Sequence, residues 1–211
     1  MPRGQFITLE GTEGAGKTTV LSFIKNYLAQ MSLTVLWTRE PGGTPLAEDI
    51  RRLVLKSSPD EEVMPETELL LMFAARVQHL NKIILPALNA GKWVVSDRYI
   101  DASYAYQIGG RGIAEKYLKF LDAWLIGTHY PALTLLLDIP PALGLERAQG
   151  RGTHQDRIEA EQLDFFDRVR AVYLKRAQDD PERIKIIDAS QQEFAVESQI
   201  KTILDAFIKG K

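Results

Sequence analysis

Short apolar runs alternate with helix-like apolar spacings along the whole 211-residue chain. Five runs have the character of strands, because aliphatic and β-branched residues dominate them and turn residues bound them. They are Phe6–Leu9, Leu33–Trp37, Trp93–Ser96, Leu133–Leu137 and Ile184–Ile187. Strands this apolar are covered on both faces, which is typical of a parallel sheet joined by helical crossovers.

The segments between these runs carry apolar residues at helical spacing. A short helix holds Ile50, Leu53 and Val54, and a long helix is predicted from about Glu66 to Asn89. The apolar face of the long helix is Leu69, Leu70, Phe73, Val77, Leu80 and Ile84, and that of the last helix is Phe194, Val196, Ile200, Ile203, Leu204 and Phe207. We therefore expect one three-layer α/β domain over residues 1–211, with a five-stranded parallel sheet and helices on both faces. Ligands should bind beyond the carboxyl ends of the strands.

A complete phosphate-binding loop follows the first strand and precedes a helical pattern. Its residues are Gly11, Thr12, Glu13, Gly14, Ala15, Gly16, Lys17 and Thr18, with Thr19 next. The glycines let backbone N–H groups converge on a β-phosphate, while Lys17 brings a charge to the β/γ oxygens and the Thr18 hydroxyl ligates Mg²⁺. A chance match in an ordinary glycine turn does not explain the strand before it and the helix after it. The chain is therefore predicted to bind a nucleoside triphosphate, in a P-loop domain.

Composition limits the partners of this domain. Lys and Arg total 26 against 28 Asp and Glu, a net charge of −2, which suggests neither nucleic acid nor an anionic membrane surface as partner. The chain has no cysteine, which excludes disulfides, thiolate catalysis and cysteine-ligated zinc. No apolar run approaches the ~20 residues of a membrane span. We expect a cytoplasmic protein.

Charged residues follow the third predicted strand directly. Asp97 ends an apolar run, as the metal-binding carboxylate of a Walker B element does, although an aspartate there can also cap a helix. Arg98 beside it favours the metal-site interpretation, because an arginine at a buried sheet edge suits a second phosphate group. Further along, Arg147, Arg151 and Arg157 lie in a glycine-bearing segment, 147–158. This segment is either a solvated surface loop or a lid that brings guanidinium groups to a transferring phosphoryl group.

Six motifs in their order and spacing resemble bacterial thymidylate kinase, from the first strand to the last helix. They are the phosphate loop with an acid at its third position, Arg39-Glu40-Pro41-Gly42-Gly43, Asp97-Arg98-Tyr99, Ala105-Tyr106-Gln107, Gly110-Arg111-Gly112 and Asp156-Arg157-Ile158-Glu159. The resemblance implies a homodimeric enzyme that transfers the γ-phosphoryl group of ATP to dTMP with Mg²⁺.

The resemblance also implies roles at matching positions. It places Glu13 at the deoxyribose 3′-hydroxyl, Arg51 and Arg98 at the dTMP phosphate, and Arg76 at thymine O4. Glu40 belongs to the same substrate site, Ser103 and Gln107 read the base edge, and Tyr106 excludes a ribose 2′-hydroxyl. Lys17, Arg98 and the arginines of segment 147–158 act in catalysis, with Arg151 placed first because glycines flank it. Thr18 and Asp97 hold the metal.

Two positions depart from the common family pattern. The thymine-stacking phenylalanine lies four residues before the arginine in the family, where this chain has Met72, while Phe73 lies three before. Both positions share a helix face with Arg76, so either side chain can serve. The fourth loop position is Gly14 rather than an arginine, so the missing charge is expected from the arginines of segment 147–158.

Two other functions are compatible with part of this pattern. Another nucleoside or nucleoside-monophosphate kinase would share the loop and the Asp97-Arg98 pair and would differ in its base pocket. A nucleotide-dependent switch protein would need an N/T-K-x-D element to read guanine. The nearest approach is Asn81-Lys82, which lacks the aspartate and lies within a predicted helix.

Overall fold

The computed structural model of the chain describes residues 4–56, 60–150 and 156–210. Its strands are β1 (Phe6–Gly11), β2 (Val35–Arg39), β3 (Trp93–Asp97), β4 (Leu133–Asp138) and β5 (Ile184–Asp188). They form one parallel sheet in the order β2-β3-β1-β4-β5. The predicted five-stranded parallel sheet is thus confirmed. Strand β1 lies at its centre, between β3 and β4. The chain passes from β1 to β2 on one side of the sheet and later crosses from β3 to β4 on the other, so the loop after β1 opens at the switch point that favours ligand binding.

Helices cover both faces of this sheet. They are α1 (Lys17–Gln30), α2 (Pro45–Leu55), α3 (Pro65–His79), α4 (Leu85–Asn89), α5 (Ile100–Ser103), α6 (Glu115–Leu125), α7 (Pro141–Gln149), α8 (Leu163–Asp179) and α9 (Glu193–Lys209). Local sequence sets several of their starts. Thr44 caps α2 by accepting a hydrogen bond from Ala47 N (3.1 Å), and proline occupies the first position of α2 and α3.

The central strand explains how two cores form around one sheet. Along β1 the side chains alternate between the faces. Ile7 and Leu9 pack with residues of α1 and α9 in one cluster, whereas Phe6 packs with residues of α3 and α6 in another. A third cluster places residues of α8 on β4 and on the segment around Tyr106. All six residues of β1 are buried, so the phosphate loop directly follows a strand held by packing on both of its faces.

Two predicted elements differ from the structure. Strand β2 begins at Val35 and is only partly buried, because it lies at the edge of the sheet. The predicted long helix is not uniform, since a π-helical turn, Leu80–Ile84, separates α3 from α4. Pro86 has no backbone N–H to bond the preceding turn, and the N–H of Leu85 bonds instead to Leu80 O.

Three side chains assigned to apolar helix faces are exposed instead. Leu53, Leu70 and Phe194 are 61%, 57% and 82% exposed. Their helical spacing predicted that they would be buried with their apolar neighbours. The helix face that is buried in the structure is narrower than the apolar face predicted from the sequence. In the described residues, no helix combines the length and apolarity needed to cross a membrane.

Candidate active site

The phosphate loop has the open backbone geometry that its glycines permit. Gly14 and Gly16 have φ values of +72° and +87°, a backbone region that residues other than glycine rarely adopt. Gly14 also approaches α7 so closely that a Cβ there would lie 1.8 Å from Gly144 O. The sequence reading did not detect this contact, which fixes the loop against the helix leading to segment 147–158.

Lys17 begins α1 and reaches back across the loop. Its Nζ donates to Gly11 O and Thr12 O, both at 3.0 Å. Desolvation of the ammonium group, together with repulsion from Arg98, lowers the pKa of Lys17 to about 8. The only hydrogen bonds of this ammonium group recorded in the described chain go to backbone carbonyls. An anion placed in the loop could therefore pair with the Lys17 ammonium group, whose hydrogen bonds to neutral carbonyls are easily exchanged.

A cavity of about 650 Å³ opens over the loop. We call it the phosphate cavity. Its lining residues include Glu13, Gly14, Ala15, Gly16, Lys17, Thr18, Thr19, Arg51, Asp97, Arg98 and Arg147. The structure thus brings most of the predicted phosphate and metal ligands to one cavity.

Asp97 stands at the end of β3 with one carboxylate oxygen unsatisfied. Its Oδ1 is buried and has no hydrogen-bond partner in the described part of the chain. A buried carboxylate oxygen is stabilised by a donor or a cation. The Thr18 hydroxyl lines the same cavity, so the two predicted metal ligands face a shared space. These donors suit Mg²⁺, which prefers a few protein oxygens and completes its shell with phosphates and water.

Arg98 and Glu13, which both line the cavity, form an ion pair. Arg98 Nη2 donates to Glu13 Oε1 at 2.7 Å, and Tyr106 OH donates to Glu13 Oε2 at 2.6 Å. The Arg98 guanidinium also lies over the Tyr106 ring, 4.6 Å from its centroid. Desolvation raises the pKa of Glu13, but the charges of Arg98 and Lys17 outweigh it and hold that pKa below its usual value. Glu13 is therefore an ionised acceptor at neutral pH.

The backbone of Arg98 is held in an unusual conformation. Its φ is +69°, in the left-handed region. Ser96 Oγ donates to Arg98 O at 2.8 Å, and the next N–H, that of Tyr99, donates to Glu10 Oε1 at 2.7 Å. These bonds fix the turn that aims the guanidinium at Glu13.

Glu10 is a buried acid that the sequence reading missed. It also accepts a hydrogen bond from Tyr173 OH at 2.7 Å. Desolvation, with repulsion from Asp101, raises the pKa of Glu10 to about 8. Its position as the last polar residue before the loop glycine was a signal, but a single glutamate in an apolar strand has no distinctive spacing.

A second, narrower cleft adjoins the phosphate cavity, and we call it the Tyr106 cleft. Four residues line both spaces, namely Glu13, Arg51, Arg98 and Asp156. The other residues of the cleft are Glu40, Pro41, Leu55, Met72, Ala102, Tyr106, Gln107 and Ile158. Arg51 donates to Pro41 O at 3.0 Å, which holds it at the junction. Two ligands bound in these spaces would meet at Glu13 and Arg98.

Phe73, Arg76 and Ser103 lie outside the lining of the Tyr106 cleft. Phe73 is 1% exposed and packs in the core, with the Arg76 guanidinium 5.2 Å from its ring centroid. Met72, one residue earlier, lines the cleft. Of the two side chains left open by the sequence, Met72 is the one that faces this space.

Arg76 is fixed by three buried hydrogen bonds. Its Nε donates to Glu40 Oε2 (2.6 Å), Nη1 to Ser103 Oγ (2.8 Å) and Nη2 to Tyr99 O (2.9 Å). Glu40 Oε1 lies 2.9 Å from Nδ1 of His79, a residue to which no role was assigned. Arginine has five N–H donors, so two remain beyond these bonds. The predicted base contact of Arg76 would have to use them.

Gln107 lies on a π-helical segment, Tyr104–Gly110. Its Nε2 donates to Glu68 at 2.9 Å, while its Oε1 is buried without a partner in the described residues. Glu68, which sequence reasoning missed, also accepts hydrogen bonds from Arg111 and Arg157. Its signal was weak, because an acid in the first turn of a helix is ordinary.

Two of the three arginines of segment 147–158 lie in the described residues, at different positions. Arg147 lines the phosphate cavity and donates to Ala189 O at 2.8 Å. Arg157 is not brought to that cavity, since its Nη2 is paired with Glu68 and its Nε donates to Val54 O at 2.9 Å. Arg151 lies outside the described residues.

A third cavity, of about 270 Å³, continues the phosphate cavity past Arg147. It is mainly apolar and is lined by Ala15, Gly16, Thr19, Val20, Arg147, Ala189, Gln191, Gln192, Glu193, Val196 and Glu197. The turn after β5 supplies residues 189–192. Extending the rule that ligands bind beyond strand ends to the fifth strand would have identified this turn.

Comparisons with known proteins agree on one family. The family model described as thymidylate kinase matches residues 9–200. The thymidylate kinase of Vesicomyosocius okutanii is 54% identical over 207 residues, 98% of this chain and 100% of that protein. The thymidylate kinase of Marinomonas sp. is 52% identical over 199 residues, 94% of this chain and 93% of that protein. The crystal structure of thymidylate kinase from Ehrlichia chaffeensis has a TM-score of 0.75 at 32% identity, covering 96% of this chain and 99% of that one.

Proposed function

This chain belongs to the thymidylate kinase family, and from the geometry of its cleft we propose how it transfers the γ-phosphoryl group of ATP to dTMP, giving dTDP. ATP occupies the phosphate cavity and dTMP the Tyr106 cleft. The observation that carries this assignment is the shared wall of the two spaces, where Glu13, Arg51, Arg98 and Asp156 line both. A donor and an acceptor phosphate bound there would meet end to end.

The donor side combines backbone and charge. The loop amides bind the β-phosphate, Lys17 binds the β/γ oxygens, and Thr18 with Asp97 would hold Mg²⁺. Mg²⁺ supplies neutralisation of the triphosphate charge when it is bound. The unpaired Oδ1 of Asp97 supports this assignment. The apolar cavity beside residues 189–192 accommodates adenine, with Arg147 between base and phosphates.

The acceptor side is organised by Arg98. Its guanidinium and that of Arg51 bind the dTMP phosphate, and Glu13 accepts the hydrogen bond of the 3′-hydroxyl. The acceptor phosphate is already anionic near neutral pH, so no general base is required. Catalysis is positioning and neutralisation of charge.

The thymine base lies against Met72, with Phe73 behind it in the core. The free N–H groups of Arg76 donate to O4, and Gln107 Oε1 accepts from N3–H. Ser103 contributes indirectly, because its hydroxyl accepts a hydrogen bond from Arg76 (2.8 Å). The Tyr106 ring occupies the space that a 2′-hydroxyl would need, which excludes ribonucleotides.

Segment 147–158 is proposed to act as a lid within a single domain, with Arg151 and Arg147 supplying charge to the transferring phosphoryl group. Arg157 instead anchors the segment through Glu68. We expect Arg151→Ala to lower kcat far more than it weakens ATP binding. Unchanged turnover would remove Arg151 from the mechanism.

A homodimer located in the cytoplasm completes the proposal. Helix α6 exposes Tyr117, Phe120 and Trp124 at 57%, 67% and 70%, and α3 exposes Leu70 at 57%. Large apolar side chains left exposed on these helices suit contact with a second copy of the chain.

The reaction is tested with a substrate panel. Purified protein with ATP and Mg²⁺ is given dTMP, dUMP, UMP, dCMP or GMP, and nucleoside diphosphate is measured by chromatography. The highest kcat/KM is expected with dTMP. Absence of dTDP, with another monophosphate consumed, would assign the chain to a different kinase activity.

A further inference from the structure

Glu68 is a buried carboxylate that joins three parts of the molecule. It lies on α3 and is 1% exposed. It accepts hydrogen bonds from Gln107 Nε2 (2.9 Å), from Arg111 Nε (3.0 Å) and from Arg157 Nη2. Desolvation raises the pKa of Glu68, but the hydrogen bond from Arg157 and the charge of Arg111 outweigh it, so that pKa lies below its usual value. Glu68 is therefore ionised at neutral pH and can only accept.

An ionised carboxylate determines which way round the Gln107 amide stands. A glutamine amide has a donor end and an acceptor end. If the amide were turned over, Oε1 would face the carboxylate of Glu68, and two acceptors would be held at hydrogen-bond distance in a buried site. That arrangement is unfavourable, because neither buried acceptor would have a donor from the other. Glu68 thus directs Nε2 toward itself and Oε1 away from itself.

The other end of the amide is available for a ligand. Gln107 is 1% exposed and lines the Tyr106 cleft, and its Oε1 has no partner in the described residues. An acceptor fixed in this orientation suits the N3–H donor of thymine or uracil. Cytosine presents an acceptor at N3, so it would meet Oε1 with like polarity.

We propose that Glu68 is a positioning residue for base discrimination, holding the Gln107 amide so that the cleft accepts N3–H pyrimidines and rejects cytosine. This inference rests on the proposed binding of dTMP in the Tyr106 cleft. Glu68 contacts no substrate and acts through Gln107. A ligand that leaves a buried polar group of the site unpaired is rejected strongly. One amide held in a fixed orientation can therefore discriminate between thymine and cytosine.

Glu68→Gln tests the proposal directly. The substituted amide can present either end, so the Gln107 amide is free to turn. We expect the ratio of kcat/KM for dTMP to that for dCMP to fall about 10- to 100-fold. The ratio of the dissociation constants of dTMP and dCMP, measured by calorimetry, should change in the same direction. An unchanged ratio in a folded variant would overturn the proposal.

Glu161→Gln is the matched control. Glu161 accepts a hydrogen bond from Arg111 Nη1, so this variant disturbs the same arginine without touching Gln107. Its dTMP/dCMP ratio should stay within about twofold of the starting protein. A loss equal to that of Glu68→Gln would assign the effect to Arg111 and refute the proposed route.

A double-mutant cycle separates positioning from a structural role. In a Gln107→Leu background, Glu68→Gln should no longer alter the dTMP/dCMP ratio, because there is no amide to orient. An equal fall in both backgrounds would contradict the proposal. If Glu68→Gln unfolds, Glu68→Asp keeps the charge for both arginines but withdraws the acceptor by one methylene, and an intermediate loss is expected.

Failure of this inference is distinguishable from failure of the proposed function. If the unsubstituted protein does not phosphorylate dTMP, the function fails before any variant is compared. If it does so and Glu68→Gln discriminates as well as the parent, only the role of Glu68 is wrong.

Discussion

The Tyr106 cleft and the phosphate cavity differ in how far their charged groups are paired before a ligand arrives. On the cleft side, Glu40 is bonded to Arg76, and at the wall shared with the cavity Glu13 is bonded to Arg98 and Tyr106. Deeper in the cavity, and within the part of the chain that the structure describes, Lys17 donates to backbone carbonyls alone and Asp97 Oδ1 has no partner. One side is preorganised by side-chain pairs, and the other is completed by the ligand.

The difference follows from what each side must recognise. A nucleoside is read by shape and by directed hydrogen bonds, which requires side chains held in place by neighbours. A triphosphate with its metal brings dense charge, so the protein needs only to offer unsatisfied partners around a rigid loop. Substitutions in the cavity should therefore affect turnover, and substitutions in the cleft should affect selectivity.

Removing the loop lysine should have the largest effect. Lys17→Met deletes the cation of the phosphate cavity, and we expect kcat to fall on the order of 10³-fold. KM for dTMP should change less than about threefold, since the pairs of the Tyr106 cleft remain. Steady-state kinetics with both substrates varied measures both parameters.

Lys25→Met is the control for that substitution, because Lys25 is exposed on the same helix. Its kinetics should match those of the parent. If Lys17→Met kept more than a tenth of the parental kcat, the division of labour between cavity and cleft would be wrong.

Tyr106 tests the other side of the comparison. Tyr106→Leu removes the ring that fills the space at C2′, so the preference for dTMP over ribothymidine 5′-monophosphate should fall about 10- to 100-fold. Tyr106→Phe keeps the ring and loses only the hydrogen bond to Glu13. It should retain the sugar preference.

The two Tyr106 variants are compared by kcat/KM with both nucleotides. If Tyr106→Phe lost the sugar preference as fully as Tyr106→Leu, the selectivity would depend on the hydroxyl and Glu13 rather than on exclusion by the ring.

The pH dependence of ATP binding sharpens the description of Lys17. Its pKa is lowered to about 8 in the free protein, and bound phosphates would restore the charged form. Binding near and above pH 8 should therefore take up a proton, and ATP affinity should fall by up to about tenfold per pH unit above that value. Calorimetry in buffers of different ionisation enthalpy measures the uptake.

Lys17→Arg should abolish that proton uptake, because arginine stays charged throughout the range. Uptake that persisted in this variant would assign the titration to another group.

The sheet and the phosphate loop could be predicted because their signals are local. Apolar runs define the strands, and the loop from Gly11 to Thr18 has a fixed spacing. Met72 and Phe73 could not be separated in this way, because neighbouring helix positions can both lie near a cleft while only packing decides which one faces it. The structure places Phe73 under Arg76 and Met72 in the wall.

Long-range pairs account for most of what the sequence did not show. Glu68 and Arg157 are 89 positions apart, and nothing in the local sequence distinguishes Arg157 from the other arginines of segment 147–158. The local structure around Gln107 likewise could not be predicted, since a π-helical segment has no distinctive pattern of apolar positions. Partners so distant along the chain are joined by the fold and not by any local spacing.

Glu10 is expected to affect stability rather than activity. Its pKa is raised from 4.5 to about 8 in the folded chain, so between these values the folded state binds more protons than the unfolded state. Stability from this group is full below about pH 4.5 and is lost as pH rises through about 8, by up to about 1.4 kcal/mol per unit. Glu10→Gln mimics the protonated form and should flatten this slope by about 1 kcal/mol per unit. Urea unfolding from pH 5 to 8 measures it, with the exposed Glu61→Gln as control. An identical slope in Glu10→Gln and its parent would mean that Glu10 on β1 is already ionised in the folded chain. The preformed charged groups found in the Tyr106 cleft would then extend to the strand that supports the phosphate cavity.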